Sequence, residues 1–201
     1  DYAREKKTDL IITVSHGHSG LLPWTMGSTA HKIVHGARVP VLLVRAAARK
    51  KGRGVNFFDR ILLPLDGSPL SERALRYVLE MARRLKSEVT VLSVVETGQK
   101  VHTIGGQDFV QFSDQYVEEI KEKLRAYLER IGQKLEKSGV NARTVFKTGN
   151  PAREIIKLSA ELKIRLIVMT TRCKSGLREW VFGSVSNRVL HSGKTPLFLV
   201  K

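Results

Sequence analysis

The chain has 201 residues, of which 42% are hydrophobic, and a formal net charge of +16. Its length and composition are typical of a globular chain with one or two domains and a sizeable core. The apolar runs are far shorter than the roughly 20 residues of a transmembrane helix, so no membrane insertion is expected. The single cysteine, Cys173, excludes an internal disulfide framework and favours a cytoplasmic location.

The strong positive charge favours polyanionic partners such as nucleotides, nucleic acid or an anionic membrane face. A solvated basic surface is the alternative. Basic residues are spread along the chain apart from one cluster, Arg45–Arg53, with the sequence RAAARKKGR. No aromatic residues alternate with basic ones as they do in single-strand binding surfaces, so specific nucleic-acid binding is not predicted.

The first predicted elements lie in residues 1–45. The last turns of a helix are followed by a short apolar run, Leu10–Ile12, which is typical of a buried parallel strand. Gly27 and Ser28 open a second helix, and the apolar run Val41–Val44 forms a second strand. Because further strands of a complete sheet do not precede this segment, we expect it to be the C-terminal part of a first domain in a longer protein.

A basic, glycine-containing linker is predicted over residues 46–57, and a complete domain over residues 58–201. In the second domain strands alternate with amphipathic helices, an order that implies a parallel sheet with right-handed crossovers and helices on both faces. A polar loop is expected over Glu96–Gly106 and a long helix over Ser113–Lys137. The predicted strands are Arg60–Leu65, Val89–Val95, Ala142–Phe146, Leu166–Met169 and Leu197–Val200.

The end of this second domain repeats the start of the chain. Residues 10–45 align with residues 166–201 without a gap, at the constant offset of 156 that separates Gly27 from Gly183. Such a long internal match indicates a duplicated structural unit. The shared positions include Ser19/Ser175, Gly20/Gly176, Leu21/Leu177, Trp24/Trp180, Gly27/Gly183, Ser28/Ser184, His35/His191 and Pro40/Pro196.

The Gly-Ser pair at each helix start has two chemical interpretations. A helix N-terminus presents unpaired N–H groups and partial positive charge, so Gly183 allows a phosphate to approach and Ser184 adds a hydroxyl donor. Alternatively, Ser184 only caps its helix and Gly183 makes the turn. The pair by itself does not decide between these interpretations.

Several motifs together resemble the universal stress protein family. Gly17 and Gly27 are separated by nine residues, Ser28 follows, and Ser15–Gly17 reads Ser-His-Gly, as in the nucleotide-binding members. Gly183-Ser184 repeats the end of this motif, whereas Thr170 and Cys173 replace its loop glycines in the second copy. The resemblance extends over residues 58–201 and, as a truncated first domain of a tandem pair, over residues 1–45.

This resemblance implies a doubly wound, five-stranded parallel sheet of the adenine nucleotide alpha hydrolase type, with strand order 3-2-1-4-5 and a cleft between strands one and four. It also implies ATP or ADP, with magnesium, as the ligand, with Asp66 and Val94 beside the adenine. The cofactor-binding residues implied in this way are Pro64, Leu65, Asp66, Val94, Gly176, Gly183, Ser184 and Val185, with Gly17, Gly27 and Ser28 in the first copy.

The function expected from the resemblance is a cytoplasmic, nucleotide-responsive regulatory module in stress response rather than an enzyme. Two alternatives are an interaction or dimerisation domain without a nucleotide, and the soluble tail of a membrane transporter. No catalytic serine elbow or complete Walker A motif is present in the sequence. His16, His18, His31 and His35 lack an accompanying set of cysteines or carboxylates, so no metal site is predicted from them.

The partial first unit has too few elements to bury its own apolar surfaces. Its strand Val41–Val44 and the last strand, Leu197–Val200, would both leave flat apolar edges exposed. In the family the fifth strands of two domains pair antiparallel across a pseudo-twofold axis. We therefore expect these two strands to pair, within one chain or by self-association of two copies.

Overall fold

The computed structural model describes residues 2–15, 26–45, 56–103, 106–171 and 182–201. The predicted site residues Gly17 and Gly176, the cysteine Cys173 and most of the predicted linker lie outside these ranges. The strands are β1 Ile11–Val14, β2 Val41–Val44, β3 Arg60–Pro64, β4 Glu88–Val95, β5 Gly98–Thr103, β6 Gly106–Gln111, β7 Ala142–Thr148, β8 Leu166–Thr170 and β9 Leu197–Val200. The helices are α1 Tyr2–Glu5, α2 Ser28–Gly36, α3 Pro69–Leu85, α4 Asp114–Lys137, α5 Pro151–Glu161 and α6 Ser184–Ser192.

Side-chain caps start three of the helices among the described residues. The hydroxyl of Ser68 accepts from the N–H of Ser71 at 3.1 Å at the start of α3. Ser113 caps α4 in the same way, and the side chain of Asn150 accepts from the N–H of Arg153 at 3.1 Å before α5. These bonds satisfy donors that a helix start otherwise leaves unpaired.

The main sheet has seven strands in the order β1-β2-β9-β8-β3-β4-β7. It is parallel except where β2 meets β9. The strands of residues 58–201 are therefore neighbours in the order β7-β4-β3-β8-β9, and the first unit adds β2 and β1 beside β9. These five strands are parallel and have the expected order, but the sheet is larger than the expected five strands. It has seven strands and is mixed, because β2 pairs antiparallel with the edge strand β9.

A second difference concerns the segment predicted as a polar loop over Glu96–Gly106. Here β5 and β6 pair antiparallel as a separate two-stranded sheet, with register from Gly98↔Gln111 to Thr103↔Gly106. The alternation expected of a half-buried strand is absent from these polar sequences, which is why periodicity did not reveal them. Mutual pairing satisfies the backbone groups that a loop would leave to water.

The core lies on both faces of the sheet, as expected for a doubly wound fold. Alternate residues of β3 divide between the faces: Ile61 and Leu63 pack with α3 and α4, whereas Leu62 packs with α5, α6 and α2. All three side chains are fully buried. Crossover helices on opposite faces leave a crevice at the carboxyl ends of the central strands.

The two units of the chain join through β2 and β9. These strands pair antiparallel with Val41 opposite Leu199 and Leu43 opposite Leu197. The four side chains are completely buried. The predicted pairing of Val41–Val44 with Leu197–Val200 is thus present within one chain, where it removes an exposed apolar edge from each unit.

Candidate functional site

A cavity of about 810 Å³ opens where the sheet changes its winding direction. At this point β3 is hydrogen-bonded to β4 on one side and to β8 on the other. The cavity is lined from the carboxyl ends of these strands and from the start of α6. It brings together seven residues implied by the family resemblance, namely Pro64, Leu65, Asp66, Val94, Gly183, Ser184 and Val185.

The turn after β3 holds Asp66 at the cavity. The N–H of Leu65 donates to Leu92 at 2.9 Å, and the hydroxyl of the buried Ser93 donates to the carbonyl of Leu65 at 2.7 Å. Asp66 Oδ1 then accepts from both the N–H and the hydroxyl of Ser68, at 2.9 Å and 2.6 Å. The turn is therefore fixed, and the exposed carboxylate of Asp66 can accept hydrogen bonds from a ligand amino or hydroxyl group.

The start of α6 forms the opposite wall of the cavity. Its N-cap is Gly183, with φ −66° and ψ 151°, and no side chain caps it among the described residues. Ser184 is the first helical residue, so the interpretation of Ser184 as a capping residue is wrong. The hydroxyl of Ser186 turns back to donate to the Gly183 carbonyl at 3.0 Å. Gly183, Ser184, Val185 and Ser186 all line the cavity, and a helix start at such a place is an arrangement that binds anions.

The first turns of α4 supply an apolar and aromatic wall that the sequence analysis did not assign to the site. Phe112, Tyr116, Ile120 and Leu124 line the cavity. The rings of Phe112 and Tyr116 meet edge to face with centroids 5.4 Å apart, and Tyr116 is 50% exposed. Phe112 precedes α4, and Tyr116, Ile120 and Leu124 follow at the i, i+4 spacing of one helix face, which is the signal that the sequence contained.

The charge of the cavity differs from the charge of the chain. Its described lining residues include the carboxylates of Asp66 and Glu96 and no lysine or arginine. The net charge of +16 is therefore not concentrated on the described lining. A phosphate here would be held by the amides of α6 and by a metal ion that accompanies the phosphates. Asp66 and Glu96 offer the oxygen ligands that magnesium prefers.

The first copy has the same local structure at its helix start, but it does not line this cavity. Gly27 is the N-cap of α2, with φ −59° and ψ 150°, and it too lacks a side-chain cap among the described residues. Its N–H donates to Ser15 at 2.9 Å. Neither Gly27 nor Ser28 lines the cavity, so the structure separates them from the site residues of the second copy.

Three histidine side chains lie together where the two copies meet. One potential ligand nitrogen from each of His31, His35 and His191 lies within 4.8 Å of the other two. Burial lowers the pKa of His35, and the neighbouring His31, Lys201 and His191 lower it further. Sequence reasoning considered His31 and His35 but did not join His191 to them. The sequence contained a signal for it, because His191 is equivalent to His35 at the repeat offset of 156 residues.

Two cations near these histidines make equivalent contacts in the two copies. The guanidinium of Arg45 donates to the carbonyl of Leu190 at 2.6 Å, and the ammonium of Lys201 donates to the carbonyl of Val34 at 2.5 Å. Arg45 and Lys201 are equivalent positions of the repeat, as are Val34 and Leu190. Each unit thus places a cation on the last carbonyls of the other unit's helix, where the helix dipole favours positive charge.

The sequence and the fold agree with one family. The sequence model of the universal stress protein family matches residues 1–45 and 57–201. The chain belongs to the universal stress protein family. The universal stress protein YxiE of Bacillus subtilis is 32% identical over 147 residues, which cover 72% of this chain and 99% of YxiE.

Solved structures show the same fold at lower identity. A universal stress protein from Archaeoglobus fulgidus has a TM-score of 0.68 and 23% identity, and the match covers 98% of this chain and 64% of that one. The chain thus spans about two thirds of that relative's length. A universal stress protein solved in complex with cAMP has a TM-score of 0.53 and 18% identity, over 71% of this chain and 96% of that one. Among the described residues of the present chain, none of the helices has the length and hydropathy to cross a bilayer.

Proposed function

We propose that this universal stress protein is a regulatory module that binds an adenine nucleotide, ATP or ADP, in the cavity at the carboxyl ends of β3 and β8. One observation carries the proposal: the uncapped start of α6 at Gly183 and Ser184 faces the same cavity as Asp66 and Val94. An anion-binding helix start and a fixed carboxylate across one cavity suit a ligand with a phosphate at one end and a polar base or sugar at the other.

The proposed binding mode assigns a role to each wall. The amides of Ser184 and Val185 bind a phosphate, and Asp66 accepts a hydrogen bond from the base or the ribose. Phe112 and Tyr116 provide an aromatic surface beside the apolar wall of α4. Magnesium accompanies a triphosphate and is bound by its phosphate oxygens and by water. We propose a regulatory and not a catalytic role, in a cytoplasmic setting.

A nucleotide titration with one matched pair of variants tests the proposal. Ser184 and Ser28 are equivalent, exposed, first-turn residues, but only Ser184 lines the cavity. Ser184→Glu places a carboxylate where the phosphate is proposed to bind and should weaken ATP or ADP binding at least about tenfold. Ser28→Glu should leave the affinity unchanged. An acidic residue in the first turn favours either helix, so both variants should fold.

Isothermal titration calorimetry with ATP, ADP and cAMP, each with and without magnesium, gives the readout. Heat with ATP or ADP that Ser184→Glu removes and Ser28→Glu retains would support the proposal. Heat with cAMP alone would mean that the ligand is a cyclic nucleotide and not ATP or ADP. No heat with any of the three at millimolar concentration, or equal affinity in the two variants, would overturn nucleotide binding at this site.

We also propose that the chain is organised as the C-terminal part of a first universal stress protein domain (residues 1–45), a linker (residues 46–57) and a second domain (residues 58–201). The repeat at an offset of 156 residues and the related contacts of Arg45 and Lys201 support this division. Self-association of two copies through β2 and β9 stays a prediction. Because these strands already pair within one chain, such a dimer would require the two copies to exchange their first units.

A further inference from the structure

The histidines at the junction of the two copies form a cluster drawn from both. His31 and His35 lie one turn apart on α2, and His191 lies in the last turn of α6. Their potential ligand nitrogens lie within 4.8 Å of one another. The centroids of the His31 and His35 rings are 4.2 Å apart, and those of the His31 and His191 rings are 6.2 Å apart. Three imidazoles from two elements thus converge at the surface.

One member of the cluster, His35, has an unsatisfied nitrogen. His35 Nε2 is buried and has no hydrogen-bond partner among the described residues. On its other side the His35 ring packs against Phe182, with centroids 4.3 Å apart. A buried polar atom without a partner is uncommon and calls for an explanation such as a ligand or an ion.

We propose that His31, His35 and His191 bind a divalent transition-metal ion, zinc in the first place, and that the ion links the two copies of the repeat. Imidazole nitrogen is a preferred ligand of zinc, copper and nickel, and three protein ligands with a water in the fourth position form a common zinc site. Two histidines at i and i+4 on one helix face are a spacing that such sites use.

The geometry requires a small rearrangement. Zinc–nitrogen bonds of about 2.1 Å in a tetrahedron separate the nitrogens by about 3.4 Å, so the nitrogens must approach by up to about 1.4 Å. His31 and His191 are exposed and free to change rotamer, whereas the half-buried His35 is held by its neighbours. The ion would replace the stacking of His31 on His35 by coordination of both rings.

The charges around the cluster set a limit on the affinity. Lys201 lies near His35 and Arg45 lies near His191, and both repel a cation. Each is engaged with a backbone carbonyl, of Val34 and Leu190 respectively, which partly offsets its charge. We therefore expect a site weaker than a cysteine-rich structural zinc site, and one that prefers metals that bind imidazole strongly over magnesium or calcium.

Titration of the complete chain, without an affinity tag, with zinc and with cobalt tests the proposal. We expect one ion per chain, visible d–d absorption of bound cobalt, and a thermal midpoint raised by roughly 5–10 °C when free zinc is a hundredfold above the dissociation constant. His191→Ala removes an exposed ligand, should fold normally, and should weaken binding at least about tenfold. His31→Ala should have the same effect.

His102→Ala is the matched control, since His102 lies on β5 in the separate two-stranded sheet. It should bind zinc like the unchanged chain. Unchanged zinc affinity and unchanged cobalt spectra in both His31→Ala and His191→Ala would overturn the proposal and assign the ion to other ligands. Absence of binding by the unchanged chain at millimolar zinc would overturn it as well. Neither result bears on the nucleotide cavity, which these variants leave intact.

Discussion

The two copies of the repeat differ in their surroundings far more than in their own structure. Both helices have nine residues and begin at an uncapped glycine with nearly the same backbone angles. Yet β8 lies between β3 and β9 and is almost fully buried, whereas β1 pairs with β2 alone among the described strands. Ile12 of β1 is 64% exposed, and its equivalent Val168 is completely buried.

The comparison shows that the repeated sequence encodes local structure, and that neighbouring elements decide burial and function. The second copy has β3 and α4 beside it, which complete a cavity at the start of α6. The first copy lacks these neighbours among the described residues, and Gly27 and Ser28 do not line this cavity. Equivalent residues thus line the proposed site in one copy but not in the other.

The largest expected effect comes from breaking the junction. Leu43 is completely buried opposite Leu197. Leu43→Lys puts an unpaired charge there and should lower the free energy of unfolding by about 3–5 kcal/mol. We expect the first unit to separate from the second, with increased binding of a hydrophobic dye and a changed sedimentation coefficient.

The control for this substitution is Ile12→Lys on the exposed edge strand. Its side chain is 64% exposed, so the charge stays in water and stability should change by no more than about 0.5 kcal/mol. Urea unfolding measures both variants. Equal stability of the two lysine variants would show that the pairing of β2 with β9 contributes little.

An equivalent leucine in each copy tests the difference in burial directly. Leu166 is completely buried, and its equivalent Leu10 is 37% exposed. Leu166→Ala should cost about 2–5 kcal/mol because it removes core contacts and leaves a cavity, and Leu10→Ala should cost less than about 1 kcal/mol. Urea midpoints at a constant m-value give the comparison. Similar losses would mean that both strands are buried alike in solution.

The smallest expected effect concerns the two related cations. Arg45 is 7% exposed and donates to the carbonyl of Leu190, so Arg45→Met should cost about 1–2 kcal/mol by leaving that carbonyl without its donor. Burial lowers the pKa of Arg45 to about 10 and that of Lys201 to about 8, so the charged forms are already disfavoured. Lys201→Met should cost less than about 1 kcal/mol, because its ammonium is less buried.

Thermal unfolding of the single variants and of the double variant measures the contribution of these contacts. The losses should add, since the two cations donate to different carbonyls. A more stable Arg45→Met variant would mean that desolvation of the guanidinium exceeds the benefit of its hydrogen bond.

Much of the fold was predictable because it depends on local patterns. Apolar runs located the strands of the main sheet, and the predicted helix Ser113–Lys137 agrees with α4, which Ser113 caps. The hairpin of β5 and β6 was missed, because its polar residues lack the alternation on which strand prediction depends.

The candidate site was predictable in part. The resemblance supplied Asp66, Val94 and Gly183, which the structure brings to one cavity. It did not supply the aromatic wall of Phe112 and Tyr116, because that wall depends on how α4 packs across the sheet edge. Nor did it decide the role of Ser184. A serine caps a helix only when it stands just before the first helical residue, and a shift of one residue in the helix boundary changes that role.

By itself, the sequence determined the strands of the main sheet, the repeat and the family, because each follows from residues that are near one another in the chain or at a constant offset. Only the tertiary structure decided that β2 and β9 pair within one chain, that Gly183 and Ser184 line the cavity whereas Gly27 and Ser28 do not, and that His191 meets His31 and His35. The contacts between β2 and β9, and those of His191 with His31 and His35, join residues more than 150 positions apart. They depend on how whole elements pack together, which local sequence patterns do not reveal.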